Sequence, residues 1–284
     1  MGTLVTIHVV RADEEGVDPA IERAFGWFHE IESRCTRFDP RSELMQLTAQ
    51  AGVPAPASAI LYEAVQFALM VAEESGGAFD PTVGHRMEAR GFNREHRSGE
   101  IVRSMIRPDD DVSYRDVRLD PERRTITLLR PLTLDLGAVA KGLAVDAAAR
   151  ELEPYKDFAI DAGGDLYLGG LNPQGAPWSV GIRHPRLDNE LIDFLQVSNQ
   201  AVCTSGDYER RTHILDPRTN TTSDAVASAT VVASGAMLAD TLATAAFVLG
   251  PEEGIQLLTR MGVEGLMMTP DLKRYETRGL ARAT

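Results

Sequence analysis

The segment LADTLATAAFVLG, residues 238–250, places a carboxylate inside a helix that is otherwise made for a protein core. Its Leu, Ala, Phe and Val side chains predict a buried helix. Because side chains four residues apart lie on the same helical face, Asp240 and Thr244 would be neighbours. A carboxylate buried among apolar side chains is unfavourable unless it is ion-paired, hydrogen-bonded or bound to a cation. The fold of this chain must therefore provide one of these three solutions.

Two explanations of Asp240 fit the sequence. In the first, the helix begins near Ser234 or Gly235, and Asp240 accepts hydrogen bonds in its first turn. In the second, the carboxylate of Asp240 and the hydroxyl of Thr244 bind Mg²⁺, which accepts hard oxygen ligands and fills its remaining positions with water or phosphate. The residues of this segment alone leave both explanations open.

The remaining segments predict an α+β fold with mostly antiparallel sheets packed against helices. The expected elements are a strand at residues 2–10, a helix at 19–35, a second helix capped by Ser58, a hairpin turning near Asp120 and a helix at about 138–152. Short strands with glycine-rich joints follow, and a helix and two strands close the chain. Strands are grouped more by pairing than by strand–helix–strand alternation, so a doubly wound α/β sheet is only the second choice.

A chain of 284 residues, 43% hydrophobic and 25% charged, is expected to form a single domain over residues 1–284, or two intimately packed lobes. Residues 85–111 are highly charged and show no clean period, which makes them the candidate mobile loop. The net charge of −13 argues against nucleic acid or an anionic membrane as the main partner. Cys35 and Cys203 are too few and too far apart for a disulfide framework or a CxxC metal site.

The compartment of the protein is left open by the sequence. No run approaches the roughly 18 apolar residues of a membrane-spanning helix, so no integral membrane segment is predicted. The chain starts directly on a strand-like segment without an export signal. The protein is expected to be cytoplasmic if this N-terminus is native, and periplasmic or membrane-anchored if a leader has been removed.

Proline favours a turn at the Asp-Pro pairs that begin at Asp39, Asp80, Asp120 and Asp216. For Asp120 only a turn is predicted. Asp39, Asp80 and Asp216 have richer surroundings, TRFDPRSEL, GGAFDPTVG and HILDPRTN, in which hydroxyls, glycines or a histidine lie nearby. These three segments are therefore candidates to converge on one pocket.

The segment LDLGAVAKGLAVD, residues 134–146, places Gly137 and Lys141 at the start of a helix. Backbone N–H groups and the helix dipole favour an anion there, and Lys141 adds a full positive charge. The order of residues differs from that of a Walker A loop, and Gly137 and Gly142 could instead serve close packing. The glycines of AGGD, residues 162–165, are interpreted as a turn.

His213 lies between arginines and an Asp-Pro turn in ERRTHILDPRT, where a neutral imidazole could act as a general base near pH 7. A histidine facing solvent, or one hydrogen-bonded in the core, is the competing interpretation. The preceding TSGDYERR, residues 204–211, offers Ser205 and Gly206 as residues that could line a ligand. Its alternative interpretation is a strand end followed by a turn.

Taken in order, eight segments resemble the FAD:protein FMN transferase family, also called the ApbE family. They are MGT at the start, FDPRSEL, GGAFDPTVG, LDLGAVAKGLAVD, AGGDLYLGG, TSGDYERR, HILDPRT and ADTLATAAFVLG. Each segment is weakly specific alone, but together they span essentially the whole chain in the order of the family. The resemblance implies an enzyme with an ApbE-like fold.

The resemblance also implies roles for individual residues. The magnesium ligands of the family fall on Asp240, Thr244 and the backbone carbonyl of Ala138, and its proposed general base falls on His213. The predicted FAD site consists of Met1, Phe38, Ala78, Phe79, Asp80, Asp135 and Lys141, together with the ligand-lining Ser205 and Gly206. The chain departs from the family where Phe38 replaces the frequent tyrosine and where HRMEARGFN follows GAFDPTVG.

The activity implied by the resemblance is magnesium-dependent transfer of the FMN half of FAD to a Ser or Thr hydroxyl of an acceptor protein, with release of AMP. Mg²⁺ would neutralise the pyrophosphate, and His213 would take the hydroxyl proton. The expected partners are FAD and an acceptor protein that carries a Ser/Thr flavinylation motif. Two alternatives are an FAD pyrophosphatase, in which water replaces the hydroxyl, and a flavin-binding protein without catalysis.

Overall fold

A computed structural model describes residues 2–10, 15–96, 98–104, 111–208 and 214–281. The strands are β1 (Val5–Val9), β2 (Ala55–Pro56), β3 (Val117–Asp120), β4 (Thr125–Leu128), β5 (Phe158–Ala162), β6 (Leu166–Gly169), β7 (Trp178–Arg183), β8 (Leu191–Val197), β9 (Gln200–Gly206), β10 (Leu215–Asp216), β11 (Thr221–Thr222), β12 (Ser228–Ala233), β13 (Glu264–Met268) and β14 (Arg274–Glu276). The helices are α1 (Val17–Cys35), α2 (Glu43–Thr48), α3 (Ala59–Glu74), α4 (Gly84–Ala89), α5 (Gly137–Leu152), α6 (Ala236–Leu249) and α7 (Pro251–Arg260). Short 3₁₀ turns lie at Tyr114–Asp116 and Glu153–Tyr155.

The described strands form a central seven-stranded sheet in the order β1-β5-β6-β9-β12-β13-β14. Each neighbouring pair in this sheet is antiparallel. Smaller sheets are formed by β2-β4-β3, by β7-β8 and by β10-β11. The predicted α+β fold with mostly antiparallel sheets is therefore confirmed. The doubly wound alternative is wrong, because it requires a mostly parallel sheet.

The central sheet is covered on both faces. On one face α6 packs against α5 and against strands β9 and β12. On the other face the β7–β8 hairpin encloses a smaller apolar cluster that includes Leu195 and Leu266. All residues of β12 are buried. Successive side chains of a strand point to opposite faces of the sheet, and here both faces are covered. Val231 lies in the main core and Val232 in the smaller cluster. A strand buried on both faces holds the adjacent strand β9 firmly in place.

The predicted helices are confirmed, and two short ones are added. α1 and α5 nearly match their expected ranges, and Ser58 caps α3 by accepting a hydrogen bond from the backbone N–H of Leu61 at 3.2 Å. α2 and α4 were not predicted, because six residues are too few to show a helical period. No described helix has both the length and the apolar run that crossing a membrane requires.

The candidate mobile loop, residues 85–111, contains most of α4 and a hairpin in its described part. Arg94 and Ile101 form an isolated antiparallel bridge, and the backbone N–H of Val102 donates to the carbonyl of Asn93 at 2.8 Å. Residues 97 and 105–110 lie outside the described residues. The mobility of this loop therefore stays a prediction.

Helices α5 and α6 approach each other closely at Gly142. A Cβ atom built on Gly142 would lie 2.5 Å from backbone atoms of Ala236 and Met237 at the start of α6. This separation is well inside van der Waals contact. The packing interpretation of Gly142 is thus confirmed, and the absence of a side chain lets the second turn of α5 approach the first turn of α6.

We expect Gly142→Ala to lower the free energy of unfolding by about 1–3 kcal/mol, because the methyl group would push α6 away from α5. Gly26, in the middle of α1, is the matched control, since nothing lies within 4 Å of its hypothetical Cβ. Gly26→Ala is expected to stabilise the protein by up to about 1 kcal/mol. Urea unfolding of both variants checks this prediction, and similar midpoints for the two would contradict it.

Candidate active site

Lys141 and two buried aspartates form the charged centre of the candidate site. Lys141 Nζ, on α5, forms an ion pair with Asp165, which immediately precedes β6, and lies 3.8 Å from Asp240 Oδ2 on α6. The side chains of Asp165 and Asp240 are only 2% and 8% exposed. Gly163 and Gly164 have φ angles of 68° and 95°, so AGGD does form the predicted turn. The turn interpretation nevertheless missed the fact that Asp165 enters the site.

The two aspartates keep Lys141 charged. Burial would lower the pKa of Lys141, but the charges of Asp240 and Asp165 outweigh it and raise that pKa above its usual value. The ammonium of Lys141 thus lies between the carboxylates of Asp165 and Asp240. The pKa of the neighbouring Cys203 thiol is also raised, by burial and then by the same aspartates. Cys203 therefore stays protonated and is a poor nucleophile.

The start of α6 is capped by Asp146 of α5 and not by Asp240. The Asp146 carboxylate accepts hydrogen bonds from the backbone N–H groups of Ala236 at 2.6 Å and Met237 at 3.0 Å. Because α6 begins at Ala236, Asp240 lies in the second turn, beyond the unpaired N–H groups of the helix start. The first-turn explanation of Asp240 is therefore wrong. Asp146 is the last residue of the segment LDLGAVAKGLAVD. Its role as a cap could not be predicted, because the helix that it caps begins 90 residues further along the chain.

The elements that carry the predicted metal ligands contact one another where α6 crosses α5 and β9. The Thr244 hydroxyl lies 3.2 Å from the Ser205 hydroxyl of β9. The Thr241 hydroxyl, next to Asp240 in the chain, donates to the carbonyl of Ala138 at 2.9 Å. The structure thus brings the α5 start, the Asp240 turn of α6 and the end of β9 together. Thr241 is the residue of this junction that sequence reasoning missed.

The oxygen atoms at this crossing fit a hard divalent cation. A carboxylate, a hydroxyl and a backbone carbonyl are the ligand types that Mg²⁺ accepts. The Thr241 hydroxyl also lies 2.8 Å from the carbonyl of Met237, and when it donates there the Ala138 carbonyl keeps one lone pair beside its helical hydrogen bond. Among the described residues, no group of three or more His, Cys, Asp or Glu side chains is arranged to hold a metal. A cation at this crossing would therefore depend on the Thr244 hydroxyl and the Ala138 carbonyl as well as on Asp240.

A second charged group lies at the start of α5. Arg37 Nε donates to Asp135 Oδ2 at 2.7 Å, and the backbone N–H of Gly137 donates to Asp135 Oδ1 at 2.9 Å. Burial would raise the pKa of Asp135, but the charge of Arg37 and these hydrogen bonds outweigh it and hold the pKa below its usual value. The Arg37 guanidinium also lies 4.3 Å from the centre of the Phe38 ring. Arg37, which the sequence analysis passed over, thus contacts two predicted FAD-binding residues.

Comparison with known proteins identifies the family. A family model described as the ApbE family matches residues 1–267. The chain belongs to the ApbE family. The FAD:protein FMN transferase of Treponema pallidum is 32% identical, over 99% of this chain and 85% of the relative. The FAD:protein FMN transferase of Vibrio cholerae is 28% identical, over 94% of this chain and 85% of the relative.

Solved ApbE structures share the fold of this chain. The flavin transferase ApbE from Vibrio cholerae has a TM-score of 0.84 at 27% identity, and the match covers 98% of this chain and 94% of that structure. The ApbE protein from Thermotoga maritima has a TM-score of 0.82 at 26% identity, with 97% and 93% covered. The predicted family, fold and enzyme class are therefore confirmed.

In this ApbE family member, each of the Asp-Pro aspartates serves a local turn. Asp39, Asp80, Asp120 and Asp216 all accept a hydrogen bond from the backbone N–H two residues further on. Asp80 also accepts hydrogen bonds from the Thr82 hydroxyl at 2.7 Å and from the Tyr114 N–H at 2.9 Å, so both of its oxygens have protein partners. The turn interpretation of Asp120 therefore extends to the other three carboxylates.

The α4 region ties the three richer Asp-Pro segments together. From α4, Arg86 donates to the carbonyl of Pro217 at 2.5 Å, beside Asp216. After α4, the carbonyl of Phe92 accepts a hydrogen bond from Arg37, beside the FDP turn, also at 2.5 Å. The GGAFDPTVG segment leads directly into α4. Arginine–carbonyl contacts thus link the three segments, and their convergence on one pocket stays a prediction.

The other predicted ligand-binding residues differ in how open they are. Ala78 and Phe79 are buried, with 1% and 7% exposure, and Ser205 is 7% exposed. A Cβ atom on Gly206 would lie 2.6 Å from the Tyr208 ring, so the end of β9 has no room for a larger residue without movement. Met1 and His213 lie outside the described residues, and their predicted roles are carried forward as proposals.

Proposed function

We propose that this protein is a magnesium-dependent FAD:protein FMN transferase, which moves the FMN half of FAD onto a Ser or Thr hydroxyl of an acceptor protein and releases AMP. The names of its relatives support flavin transfer. The observation that carries the proposal is the α5–α6 crossing, where Asp240 lies 3.8 Å from the Lys141 ammonium and its neighbour Thr241 contacts the Ala138 carbonyl. This arrangement combines oxygen ligands for a cation with a positive charge for a phosphate.

In the proposed reaction, the acceptor hydroxyl oxygen forms a bond to the FMN phosphorus while the bond from this phosphorus to the bridging pyrophosphate oxygen breaks. AMP leaves with the bridging oxygen, and the hydroxyl proton passes to a base, the role we propose for His213. Bound Mg²⁺ would neutralise the negative charge of the pyrophosphate. Asp240, Thr244 and the Ala138 carbonyl would hold this ion.

The remaining site residues would bind and orient FAD. Phe38 lines a cleft of about 890 Å³ between α1, the FDP turn and the hairpin of residues 93–103, and we propose that the flavin ring enters there. Asp135 accepts a hydrogen bond from Arg37 and lies just before α5, the helix that carries Lys141. In the same proposal Met1, Ala78, Phe79, Asp80, Ser205 and Gly206 contribute the remaining contacts to FAD.

The function is tested by incubating the full chain with FAD, Mg²⁺ and an acceptor domain that carries a Ser/Thr flavinylation motif. We expect the intact mass of the acceptor to increase by one FMN residue and AMP to appear in equal amount. The same mixture with excess EDTA is expected to give neither product. An acceptor domain with Ala at the flavinylated Ser or Thr serves as the matched control.

The other outcomes of this experiment assign the two alternative functions. Free FMN and AMP without an adduct would indicate an FAD pyrophosphatase, with water as the acceptor. Tight binding of FAD without any AMP would indicate a flavin-binding protein. Either result would contradict the proposed transfer.

A further inference from the structure

We propose that Arg37 is a positioning residue that presents the Phe38 ring to the flavin half of FAD. The proposal rests on the proposed function, since it assumes that FAD binds beside Phe38. Arg37 would not touch the reacting atoms. Its effect would be on the selection of flavin nucleotides over nucleotides that have only the adenine half.

Arg37 is an arginine held inside the protein by three different contacts. Its side chain is 5% exposed. The guanidinium donates from Nε to Asp135 Oδ2 at 2.7 Å and from Nη2 to the carbonyl of Phe92 at 2.5 Å. The planar face of the same group lies 4.3 Å from the centre of the Phe38 ring. A planar guanidinium can satisfy in-plane acceptors and an aromatic face at once, which an ammonium cannot.

The Arg37 guanidinium covers one face of the Phe38 ring, and Phe38 also lines a cleft. Phe38 is only partly buried and lines the cleft of about 890 Å³ described above. The backbone of the same turn is held by a hydrogen bond from the Phe38 N–H to the Thr36 hydroxyl at 3.1 Å. With the backbone and one ring face fixed, the ring needs no reordering when an aromatic ligand stacks in the cleft. Such preorganisation favours binding, because less side-chain freedom is lost.

Arg37 also joins the three chain segments around this cleft. Through Asp135 it contacts the approach to α5, through Phe92 the chain that leaves α4, and through Phe38 the turn before α2. A change at Arg37 can thus affect the phosphate end and the flavin end of the site together. The ratio of FAD affinity to ADP affinity isolates the flavin end, because ADP shares the adenine and phosphate parts of FAD and lacks the flavin.

The test is the measurement of dissociation constants for FAD and for ADP, both with Mg²⁺, in the full chain and in Arg37→Gln. We expect the ratio of FAD affinity to ADP affinity to fall by at least about 5-fold in Arg37→Gln, as an aromatic or cation–π contact of about 1 kcal/mol predicts. The change in flavin absorbance on binding should shrink in parallel. Phe38→Leu is expected to lower the ratio similarly, and the double variant should show little further loss.

Two further variants separate positioning from general stability. Arg23→Gln, on α1, removes another arginine–carboxylate pair, Arg23–Glu151 at 2.8 Å, remote from the cleft, and should leave the ratio unchanged. Arg37→Lys keeps a positive charge beside Asp135 and replaces Arg37→Gln in the test if that variant does not fold. The ratio of FAD affinity to ADP affinity is expected to fall in Arg37→Lys as well. An unchanged ratio in the Arg37 variants, or equal losses of FAD and ADP affinity, would overturn the inference about Arg37 and leave the proposed function standing. A failure of the wild-type protein to bind FAD with Mg²⁺ would overturn the proposed function and this inference with it.

Discussion

Replacing Asp240 by asparagine is expected to reduce flavin transfer by at least about 10²-fold at millimolar Mg²⁺, because even residues that only support a metal ligand cost about 10–100-fold when changed. Asp240 is the carboxylate of the proposed ligand set, which otherwise contains the uncharged oxygens of Thr244 and Ala138. Asparagine keeps the shape and removes the charge. The measurement is the rate of acceptor labelling over a range of Mg²⁺ concentrations, and activity should partly return at high Mg²⁺.

A direct binding measurement separates the metal role of Asp240 from catalysis. Thermal unfolding without FAD should show that Mg²⁺ stabilises the wild-type protein and has little effect on Asp240→Asn. Asp18→Asn is the matched control, since Asp18 is an exposed residue in the first turn of α1, and it should behave as wild type. Full activity of Asp240→Asn at ordinary Mg²⁺ concentration would remove Asp240 from the ligand set.

The second large effect is expected for Lys141→Met, which leaves the buried Asp165 and Asp240 carboxylates without the ammonium that they share. Removing one partner from a buried ion pair costs about 3–5 kcal/mol, so we expect a loss of that size in the free energy of unfolding at pH 8. Mg²⁺ should stabilise this variant more than it stabilises the wild type, because a divalent cation can replace the lost positive charge. Urea unfolding with and without Mg²⁺ measures both effects.

The pH dependence of the Lys141 effect has a definite sign. In the wild type the folded-state pKa of Lys141 is raised, so its contribution to stability is fully present below the unfolded value of about 10.4 and is lost as the pH rises through the higher folded value. It is therefore constant between pH 5 and 8. The deficit of Lys141→Met relative to wild type should therefore shrink only as the pH rises above about 10.4, where the wild-type contribution begins to be lost.

Two comparisons keep the Lys141 prediction specific. The double variant Lys141→Met/Asp165→Asn removes one positive and one negative charge, and it should regain much of the lost stability. Lys273→Met changes a fully exposed lysine near the end of the chain and should have little effect. A Lys141→Met protein as stable as wild type at pH 8 would show that Lys141 does not compensate the two aspartates.

Much of the fold could be predicted from the sequence because periodic patterns and caps are local. The Ser58 cap, the turn at Asp120 and the helix that starts at Gly137 all depend on residues close together in the chain. The short helices α2 and α4 could not be predicted, since they contain too few residues to show a period. Strand order could not be predicted either, because β9 pairs with β6 and β12, which lie far from it in the chain.

The candidate site was only partly predictable for the same reason. The i, i+4 spacing of Asp240 and Thr244 and the position of Lys141 in α5 are local features that could be predicted, and the structure brings Lys141 and Asp240 to 3.8 Å. Arg37 and Asp146 were missed because their partners lie 98 and 90 residues away, and Asp165 was missed because its partner Lys141 lies in a different element. The Asp-Pro aspartates make local turn contacts that could be predicted from the sequence, and the FAD contact of Asp80 stays a prediction.

By itself the sequence determined that a buried helix would carry a carboxylate and a hydroxyl on one face, since helical spacing follows from residue order alone. Only the tertiary structure decided how that carboxylate is stabilised. Gly142 lets α5 approach the start of α6, Asp146 takes the capping role, and Lys141 reaches Asp240 from the neighbouring helix. The physical reason is that charge compensation in a protein interior depends on distances of a few ångströms, and such distances between residues far apart in the chain are set by packing.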